Sequence, residues 1–209
     1  MLHFKTIEPA TLGLLKSLME LPALRETRLA GGTALALQIG HRQSIDLGLF
    51  GNLIGEEIDL KEQIFSLGDI VVLKNIPNIH IWMVNGIKVD VVRYPFPWIG
   101  EMIIHDNLRL AGLKDIAAMK LAAVTGRGSK KDFIDIFFLL KRFSLKEMVQ
   151  WYSEKYKDAS LFLVLKSLAY FVDADSDDEP VMLKRIEWKE IKNSIDKEVN
   201  QFIKHNDTN

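Results

Sequence analysis

Two aspartates in apolar surroundings, a glycine pair followed by threonine, and a lysine within an apolar helix pattern are the residues of this chain whose types could do chemistry. Asp46 lies in SIDLGLF. A strand beginning near Ser44 puts Ser44, Asp46 and Gly48 on one face and Ile45, Leu47 and Leu49 on the core face. Asp90 is the only acid in IKVDVV, where a carboxylate needs a cation or hydrogen-bond donors. Lys88, two residues back on the same face, is the simplest partner. Gly31, Gly32 and Thr33 open a helix, and a helix N-terminus behind a glycine turn takes phosphate on its free N–H groups. Read alone, the same residues make a turn and a threonine cap. Carboxylates on neighbouring strands can hold Mg²⁺, with phosphate oxygens completing the octahedron. The chemistry indicated is a metal-dependent reaction of a nucleotide.

Other charged residues stand close to these in sequence. His41 and Arg42 lie between the helix and the Asp46 strand, and the planar fork of Arg42 could neutralise phosphate. Lys120 falls among Ile116, Ala117, Met119, Leu121 and Val124, where it either covers apolar surface with its stem or points a charge at phosphate. Ser129 and Asp132 have capping-box spacing, and Lys131 can pair with Asp135 at i,i+4. From Lys114 to Glu147 the basic residues Lys114, Lys120, Arg127, Lys130, Lys131, Lys141, Arg142 and Lys146 outnumber the acids Asp115, Asp132, Asp135 and Glu147. Such a strip suits a phosphate backbone, although charged helix faces are usually just solvated.

The elements that must position these groups follow from periodicity. Pro9 suits the first turn of a helix through about Glu20, stopped by Pro22. A helix over about 59–67 turns Leu60, Ile64 and Phe65 inward. Strands over about 70–74, 79–84 and 87–92 form an antiparallel meander beside the Asp46 strand, the last two joined by Asn85-Gly86, and 107–111 adds a short strand. Helices follow over about 113–125, 129–142, 145–156, 159–171 and 181–204, with the acidic stretch 173–180 as a solvated loop. Alternation giving way to helical periodicity predicts an α/β (α+β) fold, divided into an α/β domain over 1–112 and a helical domain over 113–209.

With 209 residues and 48% hydrophobic content, the chain can bury one core or two small ones. Lys+Arg 27 against Asp+Glu 28 excludes an overall basic field, so any nucleic-acid surface is local. The absence of cysteine excludes disulfides and thiolate metal sites. Met1 to Pro9 does not read as a signal peptide, and no run approaches a membrane span, so a soluble cytoplasmic protein is expected.

Three blocks, GGTALALQIGHRQSIDLGLF at 31–50, IKVDVVRYPFPWI at 87–99 and DIAAMKLAAVTGRGSKKDFIDIFFLL at 115–140, together resemble the AbiEii-type toxin nucleotidyltransferases of the DNA polymerase β-like superfamily. The resemblance implies a small mixed sheet with flanking helices, and a helical portion that closes the nucleotide cleft. It implies transfer of a nucleoside monophosphate from an NTP to an acceptor hydroxyl, with Mg²⁺ or Mn²⁺. For several toxin relatives the acceptor is tRNA, and a cognate antitoxin is the implied partner. Asp46 and Asp90 match the family's first and third metal carboxylates, and Gly48 stands where the second belongs. By the same resemblance Gly31, Gly32 and Thr33 hold phosphates and Lys120 supplies charge. Arg42, Ser44, Arg127, Lys131, Asp132 and Asp135 lie in or behind the site, with Asp132 or Asp135 placing substrate or lysine. Gly48 opens a second reading, a nucleotide- or partner-binding protein with impaired catalysis, unless Glu56, Glu57 or Asp69 supplies the lost carboxylate. If φ at Gly48 is not positive, an aspartate should fit there without steric cost.

Overall fold

In the computed structural model, which describes residues 1–206, the chain divides into two units: Met1–Pro97 with Glu101–Gly112, and Trp98–Gly100 with the chain from Leu113 onward. The first unit contains α1 (Pro9–Glu20), β1 (Thr27–Ala30), α2 (Gly31–Ile39), β2 (Leu47–Gly51), α3 (Glu57–Phe65), β3 (Ile70–Ile76), β4 (Ile79–Val84), β5 (Ile87–Arg93), β6 (Ile103–His105) and β7 (Leu108–Leu110). The strands form one mixed sheet in the order β3-β4-β5-β2-β1-β7-β6. The β2–β5 and β1–β7 pairs are parallel, and the others are antiparallel.

The expected meander is β3-β4-β5, and its second hairpin turns on Asn85 and Gly86, both at positive φ (50° and 79°) as a type I′ turn demands. Alternation sends Leu47, Leu49, Val89, Val91 and Trp82 into the core, while Gly48, Phe50, Lys88 and Asp90 stay half-buried on the opposite face.

β2 starts at Leu47 rather than near Ser44, held back because Ser44 gives its N–H to the Thr6 carbonyl at 2.9 Å. Ile45 therefore stands outside the alternation and is 65% exposed instead of joining the core. Phe65, expected to face inward, is 48% exposed, because α3 ends with it and Leu60 and Ile64 alone fill the inner stripe. The four-residue β1, which sequence did not indicate, lies centrally between β2 and β7. The short strand expected over 107–111 is β7, paired with the unanticipated β6.

The second unit contains α4 (Leu113–Gly126), α5 (Lys130–Leu140), α6 (Leu145–Lys155), α7 (Leu161–Leu168), α8 (Val172–Asp175) and α9 (Trp188–Asn206). α4 packs on α5, α6 and α7, and α9 packs on the same three. Ser144 and Glu147 cap α6 reciprocally. Along α9, Ile191, Ile195 and Val199 recur at helical spacing and are buried. Residues 181–187, expected to be helical, are not, because Pro180 interrupts the run and the Trp188 indole N–H fixes the start by donating to Asp175 at 2.6 Å. The acidic stretch is not a plain solvated loop either. It contains α8, and the Asp177 carboxylate accepts the N–H of Lys130 at 2.8 Å while its carbonyl accepts the Lys130 ammonium. Among the described residues, no helix is long and apolar enough to cross a membrane.

Candidate active site

β1 runs into α2 without a loop. Ala30 is the last residue of the strand and the N-cap of the helix, and the turn between them is made by Gly31 at φ 71°. In the sheet Ala30 pairs with Gly48, and Gly48 pairs with Asp90. The start of α2, the first half of β2 and the middle of β5 thus lie side by side in one row. Gly32 has a different constraint from Gly31: a Cβ there would overlap the Arg42 guanidinium, and that side chain is 3% exposed. Arg42 is therefore packed against the glycine turn, and its Nη1 donates to the Gln43 carbonyl at 2.9 Å.

Thr33, expected to offer its hydroxyl to phosphate, is buried and gives that hydrogen to the Asp46 carbonyl. A hydroxyl has one hydrogen, so Ser44 donates in the 2.8 Å contact between Ser44 Oγ and Thr33 Oγ1. Thr33 and Ser44 thereby hold the Asp46 backbone against the first turn of α2. Asp90 Oδ2 accepts a directed hydrogen bond from Lys88 Nζ at 3.0 Å. Oδ1 is 2.9 Å from the same nitrogen but lacks a hydrogen-bond geometry, and as an atom it is buried. Above Gly48 the space is taken. A Cβ would come 2.9 Å from Phe50 Cε2, so an aspartate there is not free of steric cost even though φ is ordinary. Phe50 in turn meets Tyr94 edge-on at 5.5 Å, and Tyr94 meets Phe96 at 5.2 Å.

In the second unit the expected site residues form a buried ionic network. Lys120 is 3% exposed, with Nζ 2.9 Å from Asp132 and 2.5 Å from Asp135, whose side chains are fully buried. Arg127 reaches Asp132 through Nε at 2.7 Å and Nη2 at 3.0 Å with 61% of its side chain exposed, and Ser129 Oγ donates to Asp132 at 2.6 Å. The Ser129–Asp132 capping box does not form, because the carboxylate is turned to Lys120 and Arg127. Burial alone would raise the Asp132 pKa. The Lys120 charge, then the Arg127 and Ser129 hydrogen bonds, outweigh it and hold the group far below the usual carboxylate range. Lys120 is thus the inner cation of a network, not a lysine at a helix edge, and Arg127 is the member that meets solvent. Lys131 is exposed on the first turn of α5.

A second buried pair has no counterpart in the sequence motifs. Asp115 and Lys155, both fully buried, meet at 2.7 Å, and Asp115 also accepts the N–H groups of Ile99 and Gly100 at 3.0 and 2.8 Å. Lys155 lies over the Trp98 ring at 4.6 Å. These bonds draw Trp98–Gly100 into the helical unit. An acid in the first turn of an apolar helix was the available signal, but its partner stands 40 residues away.

The family described as nucleotidyl transferase AbiEii toxin, type IV TA system, matches residues 14–205. The chain belongs to this family. The uncharacterized protein aq_aa25 of Aquifex aeolicus (strain VF5) is 31% identical over 201 residues, 91% of this chain and 95% of that protein. The crystal structure of JHP933 from Helicobacter pylori is similar in fold, with a TM-score of 0.58 and 19% identity over 95% of this chain and 94% of its own. MenT4, the nucleotidyltransferase toxin Rv2826c from Mycobacterium tuberculosis H37Rv, has a TM-score of 0.53 at 13% identity, covering 90% of this chain and 81% of its own.

Nucleotidyltransferases of this superfamily generally use divalent metal ions. Asp90 Oδ1, a buried carboxylate oxygen without a directed donor, is a hard oxygen donor of the kind such an ion takes, and the backbone of Asp46 is fixed beside α2. Among the described residues no three of His, Cys, Asp and Glu cluster as ligands. The acids considered as substitutes are engaged elsewhere. Glu56 and Asp59 form a reciprocal capping box at the start of α3, each side chain accepting the other's backbone N–H, and Glu57 pairs with Lys61 at 2.8 Å. Asp69 precedes β3, with β4 and β5 between that strand and β2.

Proposed function

We propose that this AbiEii-family chain transfers a nucleoside monophosphate from an NTP to an acceptor hydroxyl. The acceptor hydroxyl would lose its proton to solvent as its oxygen bonds to the α-phosphorus, the bond to the β-phosphate would break, and pyrophosphate would leave with the displaced electron pair. The observation that carries this reading is the row Ala30–Gly48–Asp90, which sets the α2 N-terminus beside an acidic strand. The N–H groups opening α2 would receive phosphate oxygens, Arg42 would hold the turn in shape, and Thr33 and Ser44 would keep Asp46 in position. A divalent ion held by Asp46 and Asp90, Mg²⁺ or Mn²⁺, would supply charge neutralisation on the phosphates. In the second unit, Arg127, exposed where Lys120 is buried, would be the residue open to an anion from solvent.

A tRNA acceptor and a toxin role opposed by an antitoxin are the finer parts of the proposal. Burial sharpens the basic strip. Of the residues counted from Lys114 to Glu147, Lys114, Arg127, Lys131, Lys141, Arg142 and Lys146 are exposed on the basic side, and Glu147 alone on the acidic side. Such a surface favours a polyanion.

The test is incorporation of labelled NTPs into total tRNA. Asp90→Ala is expected to lose at least about 100-fold, roughly 2.7 kcal/mol of transition-state stabilisation. Equal activity of the variant and the unaltered chain would sink the proposal. The reading of a nucleotide- or partner-binding protein with impaired catalysis is favoured by the phenyl ring over Gly48. Nucleotide binding without transfer would select it.

A further inference from the structure

The sheet face that carries Asp90 continues beyond it, and the strand register fixes what stands there. One row across the ladders is Ala30, Gly48, Asp90 and Ile81, and two residues further along β2 and β5 the next row is Arg28, Phe50, Val92 and Ile79. Directly paired residues point to the same face, so Arg28 and Phe50 lie on the Asp90 side, ~7 Å beyond the first row. Tyr94 follows Val92 at the same parity, and its N–H donates to the Gly51 carbonyl at 3.0 Å. Its ring meets Phe50 at 5.5 Å and an interplanar angle of 88°, and Phe96 meets Tyr94 at 5.2 Å and 62°. All of these residues belong to the first unit.

Three rings that only closed the end of two parallel strands would be covered. Here Phe50 and Tyr94 are half-buried and Phe96 is 41% exposed. Pro95 and Pro97 follow the last two rings, and a residue before proline is held extended, so the backbone that presents Tyr94 and Phe96 is fixed before anything binds. Edge-on contacts consume fewer ring faces than stacking does, which keeps face area for a further planar group. Fixed, partly exposed rings in a row that also holds the Arg28 cation match a flat π-system attached to phosphate. A nucleobase is that chemistry.

We propose that Phe50, Tyr94 and Phe96 form a stacking platform for a nucleobase, one row beyond Asp90 on the same sheet face. The proposal rests on the nucleotidyltransferase reading and adds to it the residues that hold a base. Every base has a π-face, so such a platform retains a base without choosing among the four. The base belongs either to the NTP or to the acceptor strand, and the two sources differ in whether a triphosphate accompanies it. Rings that merely plugged the sheet end would contribute to stability and to nothing else.

Equilibrium dialysis with Mg²⁺ against three kinds of probe separates these cases without turnover. The probes are the α,β-methylene analogues of the four ribonucleoside triphosphates, the four RNA homotrinucleotides without a terminal phosphate, and inorganic tripolyphosphate, which has the phosphates and no base. Phe96→Ala, mild for the fold because the side chain is 41% exposed, should weaken retention of the analogues or of the trinucleotides about fivefold or more and leave tripolyphosphate unchanged. Tyr94→Leu should act in the same direction, and Phe96→Trp should keep retention at the level of the unaltered chain. Loss confined to the analogues assigns the base to the NTP, and loss confined to the trinucleotides assigns it to the acceptor strand. Thermal unfolding checks that each variant keeps the fold, and Phe96→Ala serves where Tyr94→Leu is unstable. Unchanged retention of both base-carrying probes by Phe96→Ala, or weakening that extends equally to tripolyphosphate, overturns the inference and leaves the nucleotidyltransferase reading standing. Retention of none of the probes by the unaltered chain overturns both.

Discussion

Lys120 carries a prediction that its sequence context reverses. A lysine at a helix edge could be truncated at little cost, but here truncation would leave two fully buried carboxylates facing each other without their shared cation. Lys120→Ala is therefore expected to lower unfolding free energy by about 3–5 kcal/mol in urea titrations. A loss under about 1 kcal/mol would show that water reaches the pair. Asp132 adds a pH dependence whose sign follows from its depressed pKa. Its contribution is fully present above the ordinary aspartate value and is lost as pH falls from about 4 downward, where the unfolded chain binds the proton and the folded chain resists it. Urea midpoints measured from neutral pH to about 3 should fall more steeply for the unaltered chain than for Asp132→Asn.

Among the elements, the β1–α2 junction shows two neighbouring glycines held for unlike reasons. Gly31 needs its left-handed φ, with nothing near its missing Cβ, whereas Gly32 has ordinary φ and the Arg42 guanidinium in the way. Gly32→Ala should destabilise by about 1–3 kcal/mol through overpacking, and the loss should shrink when Arg42 is also replaced by alanine. Thermal unfolding of the single and double variants measures this, and equal losses would place the strain elsewhere. Much of the first unit beyond this junction is legible in the sequence: Asn85-Gly86 marks its hairpin, Pro9 its first helix, and the apolar run around Asp90 its strand. β2 starts later than the alternation around Ser44 predicts because a backbone bond from Ser44 to Thr6, 38 positions back, overrides that local pattern. Pairings set by tertiary contact, such as Asp115 with Lys155, leave no periodic trace at all.

At the scale of the whole molecule, a formal charge of -1 conceals an uneven surface. Three of the four acids between Lys114 and Glu147 are buried, which leaves that segment basic toward solvent. Binding to total tRNA by filter assay between about 50 and 200 mM salt should therefore fall with a logarithmic slope of about −2 to −4, where a featureless near-neutral protein would give almost none. The excursion of Trp98–Gly100 into the helical unit has a further consequence for how such a protein can be recombined. The chain passes from one unit to the other, returns and passes again, so a junction at residue 112 is not a clean border between exchangeable cassettes. A chimaera joined there would give Asp115 and Lys155 a foreign tripeptide, and a fragment ending there would carry Trp98 away from the lysine that covers it. Descent with exchange of parts should therefore treat the two units as one heritable block.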